Sequence, residues 1–245
     1  MENRNRRLSQ RTAPLAFLIL ALVSAVPAQT PPPRPAPTRA DILRGEYGPY
    51  RANNDLLSYD LDIRVDPEKK FISGKNTIRF RMLKDGTRIQ LDLFNNLNVD
   101  KILLGTTELK YTRELNTIFV DFPERLRKNA VHAIDFYYSG FPKETGRFGG
   151  ISFKKDPAGR HWITTACQGT GASIWWPNKD QQFDEVENMR LRVAIPSALT
   201  DVSNGRLLGK TDLGDGYTRY DWTVNYPINN YCVSLNIGHY EQFSD

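Results

Sequence analysis

HWITTACQGTGASIWWPNKDQQFDEVENMRLR, residues 161–192, is the stretch on which the reading of this chain turns. Trp162, Ile163, Thr164 and Thr165 are strand-forming residues. The run breaks at Gly169 and Gly171 and passes through Trp175-Trp176-Pro177 into an acidic turn. Beyond the turn, Met189, Leu191, Val193 and Ile195 alternate with Arg190 and Arg192. That period of two puts one face of a strand in the core and the other toward water. A polar, glycine-loosened connection between two strands is where a rigid sheet displays binding groups, and Gln168 is its candidate residue.

The same alternation extends outward on both sides. Tyr59, Leu61, Ile63 and Val65 alternate with Asp60, Asp62 and Arg64 before the turn Asp66-Pro67. Ile78, Phe80 and Met82 alternate with Thr77, Arg79 and Arg81 before Asp85-Gly86, and Ile89, Leu91 and Leu93 follow. Strands are expected at Val99 to Leu104, Glu108 to Thr112, Thr117 to Phe122 and Val131 to Tyr138. Toward the C-terminus, Ser203-Asn204-Gly205 and Gly214-Asp215-Gly216 are tight turns, Tyr220 to Val224 is a strand, and Tyr231 to Ile237 is the last one. Short strands without long helices between them predict an all-β fold, an antiparallel sandwich or saddle of packed sheets.

Composition narrows the function classes. The 245 residues are 40% hydrophobic and 25% charged, ordinary for a globular chain. The formal charge of +5 is misleading, because Arg4, Arg6, Arg7 and Arg11 stand against only Glu2 at the N-terminus. No basic patch interleaved with aromatics remains, so nucleic acid is not an expected partner. The two cysteines, Cys167 and Cys232, have no zinc-ligand spacing; pairing in an oxidising compartment and two separate strand thiols both stay open.

Residues 1–28 read as a secretory signal peptide: an Arg-rich start, the apolar run Leu15 to Val23, and Val26-Pro27-Ala28 at a cleavage site. The run is well short of the ~20 residues that span a bilayer, so no membrane contact is expected after cleavage. Residues 29–40 form a proline-rich linker, with a short helical turn from Ala40 to Arg44, and residues 41–245 form one β-domain. The location implied is periplasmic or extracellular.

Several motifs together carry a family resemblance. Thr165-Ala166-Cys167-Gln168, Trp175-Trp176-Pro177, Asp180, the strand Met189 to Ile195 and Ser203-Asn204-Gly205 resemble the N-terminal β-domain of the aminopeptidase N family, which are zinc metallo-aminopeptidases of the gluzincin type. Tyr59-x-Leu61-x-Ile63, Ile72-Ser73-Gly74, Leu91-Asp92-Leu93, Tyr137-Tyr138-Ser139-Gly140 and Pro227-Ile228 extend the similarity over roughly Leu56 to Tyr240. The resemblance implies that Gln168 presents its carbonyl oxygen to the free α-amine of a peptide substrate. A glutamine bonding only its own loop is the alternative.

The catalytic half of that resemblance is missing. A zincin needs H-E-x-x-H on a helix, with a third ligand beyond it. His132, His161 and His239 are the only histidines, none has a partner at that spacing, and G-x-M-E-N is absent as well. The chain is therefore expected to hold no cofactor and no catalytic residue, zinc belonging to a catalytic domain outside it. There is no G-x-S-x-G, and His161 and Cys167 on one strand would lie too far apart to act as base and nucleophile. Asp180, Asp184, Glu185 and Glu187 are read as a solvated turn pairing with Lys179, Arg190 and Arg192, with a hard-cation site as the rival. Trp162, Trp175 and Trp176 are read as core rather than as a stacking platform. The expectation is a non-catalytic domain that packs against a catalytic metallopeptidase domain or separately encoded chain and contacts a peptide N-terminus. It would be inactive alone, whether a fragment of a longer protein or one subunit of a split enzyme. The alternative is a stand-alone exported β-sandwich module binding protein, peptide or carbohydrate.

Overall fold

A computed structural model of the chain describes residues 35–146 and 149–243. The residues read as a signal peptide and most of those read as a proline-rich linker lie outside the described residues. The first element is a short helix, α1 (Arg39–Gly45), which begins inside the stretch read as linker. Thr38 caps it: its hydroxyl accepts from the Asp41 N–H while the Asp41 carboxylate accepts from the Thr38 N–H.

Strands follow. They are β1 (Asn54–Asp66), β2 (Phe71–Met82), β3 (Gly86–Asp92), β4 (Leu97–Leu104), β5 (Thr107–Glu108), β6 (Lys110–Glu114), β7 (Thr117–Leu126) and β8 (Val131–Gly140). After these come β9 (Gly150–Lys155), β10 (His161–Ala166), β11 (Asn188–Pro196), β12 (Thr200–Ser203), β13 (Arg206–Asp212), β14 (Tyr217–Val224) and β15 (Leu235–Gly238). The expected all-β architecture is the observed one.

Three sheets form. The largest has eight strands in the order β13-β14-β11-β1-β2-β8-β4-β5, the second is β12-β15-β10-β9, and the third is β3-β7-β6. Pairing is antiparallel except at the middle of the large sheet, where β1 and β11 run parallel with Tyr59 opposite Met189 and Leu61 opposite Leu191. The inward face of β1 is Tyr59, Leu61, Ile63 and Val65, all buried. Its other face carries Asp60 and Asp62, which Arg192 of β11 bridges at 2.7 and 3.5 Å, so the alternation of charge seen in both strands becomes a cross-strand ion pair.

Trp175 and Trp176 are fully buried, with Tyr59 edge-on to Trp176 at 5.0 Å between ring centroids. Trp162 departs from the core reading: it is 46% exposed and donates from Nε1 to the Tyr240 hydroxyl at 3.0 Å. It lies on β10 next to Ile163, which faces inward, so the period of two turns it outward.

One further expectation is corrected by local chemistry, and one turn proves to have a different role from a hairpin. Tyr231 is not in a strand; residues 230–232 form a single 3₁₀ turn capped by the Asn229 side chain, and the strand starts at Leu235. Ser203-Asn204-Gly205 is a turn, but it carries the chain from the four-stranded sheet to the eight-stranded one instead of closing a hairpin. Gly205 has φ +84°, and a Cβ there would run into the Thr223 carbonyl, so this corner needs glycine.

Candidate functional site

β10 delivers Gln168. The strand ends at Ala166, and Cys167 begins a turn in which the N–H groups of Thr170 and Gly171 both donate to its carbonyl, at 3.2 and 3.0 Å. Gln168 stands exposed on that turn. Among the described residues nothing hydrogen-bonds its side-chain amide, which leaves the carbonyl oxygen free to accept.

The opposite side of the turn is fixed by a carboxylate. Gly171 adopts φ +88°, and a Cβ at this position would collide with the Asp180 carboxylate. Asp180 Oδ2 accepts from the Ser173 N–H at 3.1 Å and from its hydroxyl at 2.7 Å. Glycine is thus required by both backbone angle and close approach. The turn borders a cavity of about 850 Å³ lined by Gln168, Gly169, Asp180, Gln181, Tyr231 and Cys232, and by Asp41 and Arg44 of α1.

Beneath the cavity lie two buried ion pairs. Arg51 is fully buried and donates to Asp92 Oδ1 at 2.6 Å, while Asp92 Oδ2 accepts the Asp180 N–H at 3.0 Å. Burial pushes the Asp92 carboxyl up to about 6, with the Arg51 charge opposing it. Lys179 forms the second pair, with Asp184, and also donates to the Asn54 carbonyl at 2.8 Å. Burial lowers its pKa, and Asp184 counteracts that. The Lys179 N–H meanwhile donates to the buried Tyr59 hydroxyl at 3.0 Å, and Asn230 Nδ2 donates to the Lys179 carbonyl at 2.7 Å. The segment after Trp176 is therefore pinned to β1 and to the 230–232 turn.

The expected pairing of the acidic cluster with Lys179 is present, at Asp184, but the cluster is not one solvated turn. Asp184 is buried against Lys179, Asp180 serves Ser173, and Glu185 accepts from Asn229 Nδ2 at 3.4 Å. Arg192 pairs with β1 and not with the cluster. The rival cation site fares no better: among the described residues no three His, Cys, Asp or Glu side chains converge as metal ligands.

The histidines are distributed along the fold. His132 lies on β8 with its ring beside Phe80, and burial lowers its pKa. His161 bonds Glu68 at 2.8 Å and shares a separate cavity of about 270 Å³ with His239, Trp162 and Tyr240. That places His161 at the opposite end of β10 from Cys167. Burial pushes the Cys167 thiol up to about 11, the reverse of what a nucleophile requires. Cys232 is exposed on the 3₁₀ turn, and both cysteines are free thiols.

Of the residues lining this cavity, Gln168, Asp180, Cys167 and Cys232 carry a signal in the sequence. Arg44, Asp41 and the Arg51–Asp92 pair were not singled out. The capping residues Thr38 and Asp41 signal a helix, but nothing local signals which loop that helix touches.

The comparisons with known proteins agree with this geometry. The family model described as the peptidase M1 N-terminal domain matches residues 56–232. Among solved structures, a mutant M1 zinc metallopeptidase from Deinococcus radiodurans superposes with a TM-score of 0.67 at 21% identity, covering 77% of this chain and 43% of that one. A mutant of the same peptidase bound to a Tyr-Ser-Ala substrate gives 0.66 at 21% identity, covering 77% and 43%. The unmutated protein gives 0.66 at 21% identity over 76% and 42%. The chain thus spans less than half the length of these structures, and at that identity they support the fold alone. Comparison with curated protein sequences finds no match. With its Gln168 turn inside the matched span and its sheets superposing on these structures, the chain belongs to the peptidase M1 N-terminal domain family.

Proposed function

We propose that this chain is the non-catalytic N-terminal domain of an exported zinc aminopeptidase-like protein, packing against a catalytic metallopeptidase domain and offering Gln168 to the N-terminus of the peptide. The observation that carries the reading is the placement of Gln168: exposed at the wall of a cavity of about 850 Å³, inside the family-matched span, with its amide unbonded among the described residues. An amide oxygen accepts a hydrogen bond from an α-ammonium while carrying no net charge that must be desolvated. Zinc is assigned to the catalytic domain, because the donors here do not fit it: His132 is remote from the cavity that His161 and His239 share, and no three ligands converge among the described residues. Export rests on the sequence of residues 1–28. No helix among the described residues is long and apolar enough to cross a membrane.

The test is a titration of the full chain with Tyr-Ser-Ala and with its N-acetylated form, followed by NMR, alone and with an M1 catalytic domain added. The free-amine peptide is expected to bind more tightly, and Gln168→Ala is expected to abolish the difference. Equal binding of the two peptides by the wild type would refute the role of Gln168. Stoichiometric zinc with turnover of an aminoacyl-nitroanilide by the purified chain would refute the non-catalytic reading.

A second reading, a stand-alone exported module for protein, peptide or carbohydrate, is favoured by the exposed Trp162 held edge-on by the Tyr240 hydroxyl beside a small cavity. Saccharide quenching of tryptophan fluorescence, lost in Trp162→Ala, would favour it over the first.

A further inference from the structure

Part of the wall of the Gln168 cavity comes from outside the family-matched span. α1 ends before residue 56, yet Asp41 and Arg44 line the same cavity as Gln168. Both also border a smaller cavity of about 170 Å³, with Asp180 common to the two, so α1 contributes to the walls of both.

α1 is anchored far more firmly than a surface helix of this length requires. Isolated helices this short do not persist in water, so tertiary contacts must hold it. Leu43 is buried, and the Leu43 carbonyl accepts from the buried Gln90 Nε2 at 3.0 Å. Arg51 Nη1 donates to the Arg44 carbonyl at 2.6 Å and to the Glu46 carbonyl at 3.3 Å. The guanidinium thereby satisfies carbonyls that a helix C-terminus leaves open and places a positive charge at the negative end of its dipole. Arg39 adds a bidentate pair with Glu114 at 2.7 and 2.8 Å.

The Arg44 side chain reaches back from this anchored helix. Its Nη2 donates to the Gly169 carbonyl at 2.5 Å, directly after Gln168. Gly169 has φ +75°, a conformation that glycine can leave easily, so the turn's own backbone does little to fix the Gln168 side chain. A charged donor on that carbonyl supplies the missing constraint. We propose that Arg44 is a positioning residue for Gln168, and that α1 is thereby part of the peptide-binding site although it precedes the matched domain. This rests on the reading of Gln168 as the contact to a peptide N-terminus. Arg44 touches no reacting atom; it holds the turn that does the binding.

The experiment uses the full chain, wild type and the variants Arg44→Ala, Arg44→Lys and Arg39→Ala. The Gln168 side-chain amide signals, assigned by their loss in Gln168→Ala, and the Gly169 amide signal are followed by NMR without ligand. Tyr-Ser-Ala and its N-acetylated form are then titrated. Arg44→Ala is expected to shift and broaden the Gln168 and Gly169 signals and to cut the preference for the free amine on the order of fivefold, the scale of one net hydrogen bond. Arg44→Lys, which keeps the charge and a donor, should recover a large part of both. Arg39→Ala removes a different anchor of α1 and should leave the turn signals in place. The proposal is overturned if Arg44→Ala leaves the Gln168 signals unmoved, or if Arg39→Ala moves them equally. The ligand-free signals decide the role of Arg44 even if no tripeptide binds, in which case it is the assignment of Gln168 to substrate that falls.

Discussion

Asp201 offers a test of how the two larger sheets are joined. It lies on β12 of the four-stranded sheet, is almost wholly buried, and accepts from Trp222 Nε1 of the eight-stranded sheet at 2.8 Å and from the Ser203 hydroxyl at 3.1 Å. Both donors are neutral, so they offset the loss of hydration only in part. Burial pushes the carboxyl from 3.8 up to about 7, with the two hydrogen bonds opposing that rise. The folded protein therefore holds a proton that the unfolded chain gives up between these values, and stability falls as pH rises from about 4 toward 7. Roughly three units at 1.36 kcal/mol each set an upper bound of about 4 kcal/mol on the stability lost across that window. Asp201→Asn removes the titration and keeps an oxygen for the indole. Urea unfolding of both proteins from pH 4 to pH 8 isolates the contribution of this one side chain, because Asp92 and the other carboxyls titrate in both. The variant is expected to gain on the wild type steadily as pH rises. A difference independent of pH would show that folding leaves the Asp201 pKa unmoved, and a variant that loses ground toward pH 8 would show that Asp201 is stabilised as the anion; either would refute the reasoning.

Two further outcomes follow from the buried groups. Lys179→Met or Asp184→Asn strands an uncompensated charge and is expected to cost about 3–5 kcal/mol in urea unfolding, whereas the double change Lys179→Met with Asp184→Leu should recover most of it; equal losses in single and double variants would mean the pair is not the unit that matters. Of the two thiols, Cys232 should react with a water-soluble disulfide reagent in the native protein while Cys167 reacts only on unfolding, given its burial and raised pKa. Two rapid equivalents would contradict the placement of Cys167.

Much of the sheet was legible because one side of each strand is buried. Tyr59 to Val65, Ile78 to Met82 and Met189 to Ile195 alternate cleanly, and that is the local imprint of a half-buried strand. The parallel pairing of β1 with β11 left no such imprint, since either strand would read the same with any neighbour. At Tyr231 the alternation misled. The pattern of Val233, Leu235 and Ile237 continues back to Tyr231, whose N–H bonds the Asn229 side chain in a 3₁₀ turn instead. In the site, Gln168 carries a motif, whereas α1 shows in the sequence only as a short helical turn from Ala40 to Arg44, its Thr38–Asp41 cap lying across the end of the stretch read as linker. The bond from Arg44 of α1 to the Gly169 carbonyl joins residues 125 positions apart, a separation at which no spacing rule operates. The charges of Lys179 and Asp184 suggested a hydrated surface because burial is a property of tertiary packing, and a lysine–carboxylate pair looks the same in sequence wherever it ends up.

The seam between β1 and β11 has a consequence for how the molecule comes into being. Its cross-strand ion pair, Arg192 to Asp60, joins residues 132 positions apart, and every pairing along it is of that order. During synthesis β1 can zip to β2 early but waits with its other edge bare until β11 emerges, on the order of ten seconds later at ~5–20 residues per second. A newly made chain thus passes through an interval in which its central strand is a sticky, half-finished template, and ring closure of so long a loop makes the last step slow. Escort by a holding chaperone during that interval is what such a topology calls for.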